Sequence, residues 1–249
     1  MELQRLAVRR GSPLQGVRLP PYPTMLTLGM ALGVACGCLF AASAGLPVDR
    51  AYFAYVVLLI PALLGARLLH VLKHWRHYRA RPRLILSRND AGLALYGGLA
   101  LALLVSWPLL AALELAAGPF WDGAAVVILV GMALTKVGCH LHGCCAGRPT
   151  TSQWGVNLRR DRGRVRRTPA QFLESGLALM LLAVLVPAAP YLGFSGALFW
   201  WASLGYATGR FFLEGMRESF DPRHVLNSNR IMSIALAGCA VTALILGSR

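Results

Sequence analysis

The sequence predicts an all-α fold: a polytopic membrane protein with about seven transmembrane helices in one bundle, a single integral membrane domain over residues 1–249. Three observations carry that prediction. Hydrophobic residues make up 56% of the 249 positions, and mean hydropathy is +0.55. Only 14% of residues are Asp, Glu, Lys or Arg, against about 25% in a typical soluble domain. The apolar residues also gather into stretches close to the roughly 20 needed to cross a hydrocarbon layer. A water-soluble globule, a disordered chain and a disulfide scaffold all fit this composition poorly.

Seven stretches qualify as spans, at about 24–46, 51–72, 91–117, 121–139, 170–189, 195–216 and 229–247. All read as helices, because an open strand in hydrocarbon leaves backbone groups unpaired. The third contains Pro108, which removes a backbone donor, crowds the preceding turn and predicts a kink there. Arg5, Arg9 and Arg10 precede a first apolar run that contains Ala42-Ser43-Ala44. Its length and the long leader predict a retained span, since cleaved signals have a shorter apolar core. No repeat, low-complexity tract or soluble domain is visible.

The charge is one-sided, with 25 Lys and Arg against 10 Asp and Glu and a pI near 10.6. In a soluble protein this would suggest nucleic acid. In an apolar chain it points to loops facing anionic lipid or to a site for an anionic headgroup, so no nucleic-acid partner is expected. Twenty of the cations fall in the segments 1–23, 73–90, 140–169 and 217–230. The alternate loops and the C-terminal end hold only Arg50 and Arg249. The positive-inside rule then puts the N-terminus in the cytoplasm and the C-terminus outside.

The remaining cations, Arg67, Lys136 and Arg210, lie within spans, where charge is expensive and usually faces the bundle interior. Arg67, His70, His74 and His77 recur at three- and four-residue spacing, predicting one shared helical face. Arg210 and Glu214 are four apart, with Arg217 three residues on along the same face. They read either as a self-neutralising pair or as an arginine held by a carboxylate with donors left for a phosphate. Lys136 lies four residues before His140, and the segment from Gly138 to Arg148 packs three Cys, two His and three Gly around a helix end. A cationic Lys and Arg beside a glycine-rich turn suit an anion. Cys139, His140, His142, Cys144 and Cys145 are also potential metal ligands. However, no Cys-x-x-Cys pair is present, and adjacent Cys144 and Cys145 are not expected to converge on one tetrahedral centre, so no metal is predicted. Cys36, Cys38 and Cys239 lie in spans and suit small apolar packing roles.

Five blocks in order resemble the prolipoprotein diacylglyceryl transferase family of seven-span bacterial inner-membrane enzymes. They are Gly65-Ala66-Arg67-Leu68, Tyr96-Gly97-Gly98, the run from Gly138 through Trp154-Gly155, Pro169 through Glu174, and Gly209-Arg210-Phe211 with Glu214. The third is similar to a signature variant with Gly-Cys-Cys-x-Gly-Arg-Pro-Thr. The resemblance implies transfer of diacylglyceryl from phosphatidylglycerol to the lipobox cysteine of a prolipoprotein signal peptide, without a cofactor, in the bacterial plasma (inner) membrane. It implies catalytic roles for Tyr96, Lys136, Arg210 and Glu214. Lipid or phosphate contacts are implied for Arg67, Gly97, Gly98, Gly138, His142, Gly147, Arg148 and Gln171. The two glycines after Tyr96 are expected to let the headgroup approach the backbone.

The chain departs from the family pattern in ways that bear on chemistry. Lys136 stands where the signature has an arginine, keeping the charge but losing the bidentate fork. Cys139, His142 and Cys144 replace residues that are commonly Asn, Asn and Glu. Only about 30 residues separate the fourth and fifth spans, and six arginines between Arg159 and Arg167 are candidates for anionic headgroups. The family also works on the outer face, opposite to the charge count. The alternative expectation is a non-catalytic member that binds anionic lipid or a membrane partner.

Overall fold

A computed structural model describes residues 21–86, 93–160, 163–217 and 227–249. The leader arginines, the first two residues of the predicted third span, Arg162 and Arg223 lie outside the described residues. Among those described, seven long helices occupy the seven predicted spans: α1 (Pro21–Ser43), α2 (Val48–Lys73), α4 (Leu95–Ala112), α5 (Ala117–His142), α6 (Ala170–Ala188), α7 (Ala197–Glu214) and α8 (Ser228–Gly247). A short α3 (Trp75–Ala80) and a 3₁₀ turn (Pro82–Leu86) follow α2. Six of the long helices are apolar enough to cross a membrane, and the chain is a multi-pass membrane protein. Helix α7 is less apolar than these because it carries Arg210 and Glu214, so the predicted count of seven spans becomes six plus one charged helix. The third span is shorter than expected, and Pro108 lies within continuous α4.

Lipid tails are as apolar as leucine, so helices in a bilayer associate mainly through close packing of small residues. The chain is built that way. A Cβ at Gly29 would lie 2.9 Å from the Gly131 carbonyl oxygen, and one at Gly33 would lie 2.6 Å from that of Val127. These contacts bring α1 and α5 together antiparallel. Helices α2 and α4 meet the same way, with Gly65 against Gly97 and Gly98 against the Ala62 carbonyl. Large side chains such as Ile60, Leu104 and Trp107 point outward instead.

A second device holds the start of α7. Asp122 of α5 is buried and accepts hydrogen bonds from the Gly196 and Phe199 amides at 2.7 and 2.9 Å. These are helix N-terminal donors that have no partner within the helix itself. A carboxylate there is also favoured by the helix dipole.

Two expectations change. The four residues Arg67, His70, His74 and His77 do not share one face, because α2 ends at Lys73 and His74 breaks the helix with φ −113° and ψ 30°. The His70 and His74 rings lie 4.4 Å apart, while His77 sits on α3 edge-on to Tyr78. The basic segment between the fourth and fifth spans is also more than a loop. It forms an antiparallel hairpin of β1 (Val156–Arg160) and β2 (Gly163–Arg167), with Val156 opposite Arg167. Residues 147–150 run between this hairpin and the end of α7. The Gly147 amide donates to Thr168 at 3.1 Å, and the Arg148 amide donates to Met216 at 3.0 Å.

Antiparallel packing gathers one end of the bundle. The starts of α4, α6 and α8 and the ends of α2, α5 and α7 share it, and every predicted site residue falls in those segments or in the 147–150 strand. Gly97→Ala tests the packing that fixes Tyr96 there. It should lower the melting temperature in detergent by several degrees, because the methyl meets the Gly65 backbone. Gly176→Ala, with nothing within 4 Å, should be neutral or stabilising by about 0.5–1 kcal/mol.

Candidate functional site

Glu174 lies one turn into α6, and its side chain has no solvent exposure. Three cations from two other elements converge on it. Arg210 Nη1 of α7 donates to Oε1 at 3.1 Å, and Arg217 Nε, just beyond α7, donates to the same oxygen at 3.0 Å. Arg217 Nη2 also reaches Oε1, and Lys136 Nζ of α5 pairs with Oε2. Arg210 then turns its Nη2 to Glu214 Oε2 at 2.8 Å. Glu214 Oε1 accepts from the side-chain amides of Asn227 and Asn229 at 3.0 and 2.8 Å. A buried carboxylate that lost such partners would be left with a large desolvation penalty, so the two acids and three cations stand or fall together.

The network continues to Tyr96. Lys73 Nζ donates to Asn229 Oδ1 at 2.6 Å, and Ser233 Oγ donates to the Asn229 carbonyl at 3.0 Å. Tyr96 Oη lies 2.6 Å from Ser233 Oγ. Because the serine hydrogen is committed to a carbonyl, the phenol is the donor of that pair. Its lone pairs therefore remain available to a ligand.

The other predicted residues divide. Gln171 is 1% exposed, and its Nε2 donates to the Cys144 carbonyl at 2.7 Å. Its Oε1 is buried with no hydrogen-bond partner among the described residues. Arg148 Nε donates to the Arg217 carbonyl at 3.2 Å, at the edge of the network. Gly138 is buried in α5 two residues past Lys136, and His142 is the exposed last residue of that helix, 6.3 Å from the Tyr22 ring. Arg67 donates to the Ile85 and Leu84 carbonyls at 3.0 and 2.9 Å and lies 5.3 Å from the Tyr78 ring, bracing the 3₁₀ turn. Backbone, not open space, adjoins the glycines. Gly97 and Gly98 abut α2, where they serve helix packing, and Gly147 abuts Thr168 and Met216.

The family model for prolipoprotein diacylglyceryl transferase matches residues 13–246. The chain belongs to that family. It is 26% identical over 247 residues to a phosphatidylglycerol–prolipoprotein diacylglyceryl transferase of Enterococcus faecalis, covering 95% of this chain and 89% of that protein. A transferase of the same name from Halalkalibacterium halodurans is 27% identical over 230 residues, covering 86% and 78%. One named phosphatidylglycerol–prolipoprotein diacylglyceryl transferase 2, from Clostridium perfringens, is 26% identical and covers 88% and 87%.

For this diacylglyceryl transferase family member, the structure adds residues that sequence reasoning did not assign to the site. Glu174 carried a signal, since it closes the Pro169–Glu174 block. Arg217 carried one too, by its spacing from Arg210 and Glu214. Asn229 and Ser233 are four apart at the start of an otherwise apolar helix, a polar stripe that could have been read. Lys73 and Asn227 carried no such signal, because only the fold brings them to Glu214.

The cysteine turn also differs from expectation. Gly143 has φ +77° and Cys145 has φ +59°. These two left-handed residues fold the chain back, so Cys144 and Cys145 both turn their sulfurs toward Cys139. The three Sγ atoms lie within 4.8 Å of one another.

Glu174→Gln should destabilise the protein by about 3–5 kcal/mol, because it leaves Lys136 and Arg217 without their carboxylate and Arg210 with Glu214 alone. Adding Lys136→Met should recover part of that loss. Additive effects in a thermal-unfolding double-mutant cycle would show that Lys136 and Glu174 are not coupled.

Proposed function

We propose that this chain transfers the diacylglyceryl group of phosphatidylglycerol to the lipobox cysteine of prolipoprotein signal peptides, in the bacterial plasma membrane. The observation that carries the proposal is the charge balance of the buried network. Lys136, Arg210 and Arg217 supply three positive charges against two carboxylates. Lys73, joined to the same network through Asn229, adds a fourth, and this excess of positive charge suits the anionic phosphate of a phosphodiester.

In the reaction the substrate thiolate attacks the sn-3 carbon of the diacylglyceryl group. A carbon–sulfur bond forms, the carbon–oxygen bond breaks, and glycerol phosphate leaves with the electron pair. The leaving phosphate gains a second negative charge, so cations already fixed at that point favour the transition state over the ground state. Arg210 is suited to this task, because Glu174 and Glu214 hold its guanidinium from two sides. Lys136 adds charge without a fork. Tyr96, whose hydroxyl donates a hydrogen bond to Ser233, presents a lone pair that accepts a hydrogen bond from the substrate thiol, and the thiol proton ends on the departing glycerol phosphate. Gln171 Oε1 is a buried acceptor suited to a glycerol hydroxyl.

The site end is proposed to face outward. Several of the cations there that argue for a cytoplasmic orientation are engaged: Lys73, Arg148, Arg166, Arg167 and Arg230 all hold internal hydrogen bonds. Arginines tied to the protein's own carbonyls are part of the fold rather than free loop charge, which weakens the count on which the positive-inside rule depends.

Two measurements test this reading. Purified protein in detergent should move labelled diacylglyceryl from phosphatidylglycerol to a lipobox peptide. Arg210→Ala should reduce the rate by about 100-fold or more, Tyr96→Phe should lower turnover with little change in lipid affinity, and Lys136→Arg should retain or raise activity. Equal transfer by wild type and Arg210→Ala would overturn the enzymatic reading. A reporter fused after Arg249 should be active only if it functions in the cytoplasm. Activity of an outside-only reporter there would reverse the orientation.

A further inference from the structure

We propose that Cys139, Cys144 and Cys145 form a binding site for one soft d¹⁰ cation, monovalent copper or zinc, at the end of α5. The proposal does not rest on the transferase reading, because binding is measured without lipid or peptide.

The geometry is that of a site nearly closed. Metal–sulfur bonds of about 2.3 Å place three ligand sulfurs about 4 Å apart, and these three lie within 4.8 Å of one another. Closing on an ion thus takes a contraction of less than about 1 Å per pair. Two of the anchors are rigid. Cys139 is buried in the last turn of α5, and the Cys144 amide donates to the Cys139 carbonyl at 3.0 Å. Cys145 keeps φ +59°, a conformation disfavoured for any residue with a side chain. That conformation is what turns a neighbour of Cys144 back to the same point.

The donor set selects the ion class. Three thiols with no carboxylate or imidazole among them favour thiophilic metals over magnesium or calcium. Three sulfurs in a plane suit monovalent copper, and zinc would add a water as fourth ligand. Burial falls from Cys139 through Cys144 to exposed Cys145, which gives an ion a path from the surface to an enclosed sulfur. An occupied site would brace the turn whose Cys144 carbonyl holds the Gln171 amide at 2.7 Å.

The test uses reduced, metal-free full-length protein in detergent. Monovalent copper is titrated against bicinchoninate, and zinc is titrated in a separate arm against a chromophoric chelator. Wild type should bind one equivalent of at least one ion, and the arm that succeeds identifies it. Cys139→Ser and Cys145→Ser should each weaken that binding about 100-fold or more, while Cys36→Ser and Cys239→Ser should match wild type. In wild type the bound ion should also shield the three thiols from maleimide, read by peptide mass mapping. Binding of both ions no tighter than in Cys145→Ser would overturn the proposal. So would alkylation of the three wild-type thiols at one rate with and without either ion, a result that needs no variant to fold.

Discussion

A carboxylate removed from water must find cations or give up its charge, and Glu174 finds three. Its two oxygens bring together α5, α6 and the end of α7, which are far apart in sequence. Arg210 carries the connection on to Glu214, and the asparagines at the start of α8 complete it. Much of this end of the bundle is therefore arranged around an electrostatic constraint. In a lipid bundle such a cluster is a poor means of stabilisation, since well-packed apolar residues of similar volume often do as well or better. Its persistence argues for a use, and the excess of cations over carboxylates points to an anion.

The rest of the fold supplies rigidity at low cost in volume. Glycine and alanine contacts let α1 lie on α5 and α2 lie on α4, and this fixes the ends of those helices with little freedom to slide. Tyr96 is placed by the Gly97 contact immediately after it. Asp122 pins the start of α7 at the far end, so the helix that bears Arg210 is held at both of its termini. Gly147 and Arg148 then tie the end of the hairpin to α7 beside the network.

Much of this was legible in the sequence, and the reasons differ by element. The helices were, because long apolar runs in a bilayer leave the backbone little alternative. Arg210 with Glu214 was, because four-residue spacing is local. Glu174 as the centre was not, since its arginine partners lie 36 to 43 residues away along the chain and only packing unites them. The break at His74 was missed because the periodicity of His70, His74 and His77 continues across it. The convergence of Cys144 with Cys145 was missed because it depends on positive φ at a cysteine, which spacing does not reveal. The charge count was correct as arithmetic, but it treats every arginine as a free loop charge, and several are structural.

The central claim is that the excess of cations in the network at this end of the bundle recognises a phosphodiester anion. Native mass spectrometry of the detergent-solubilised protein, offered equal phosphatidylglycerol and zwitterionic phosphatidylethanolamine of matched chains, tests it directly. A strong preference for phosphatidylglycerol that collapses in Arg210→Gln is the predicted result. Equal retention of the two lipids by wild type, or a preference that survives in Arg210→Gln, would contradict the account.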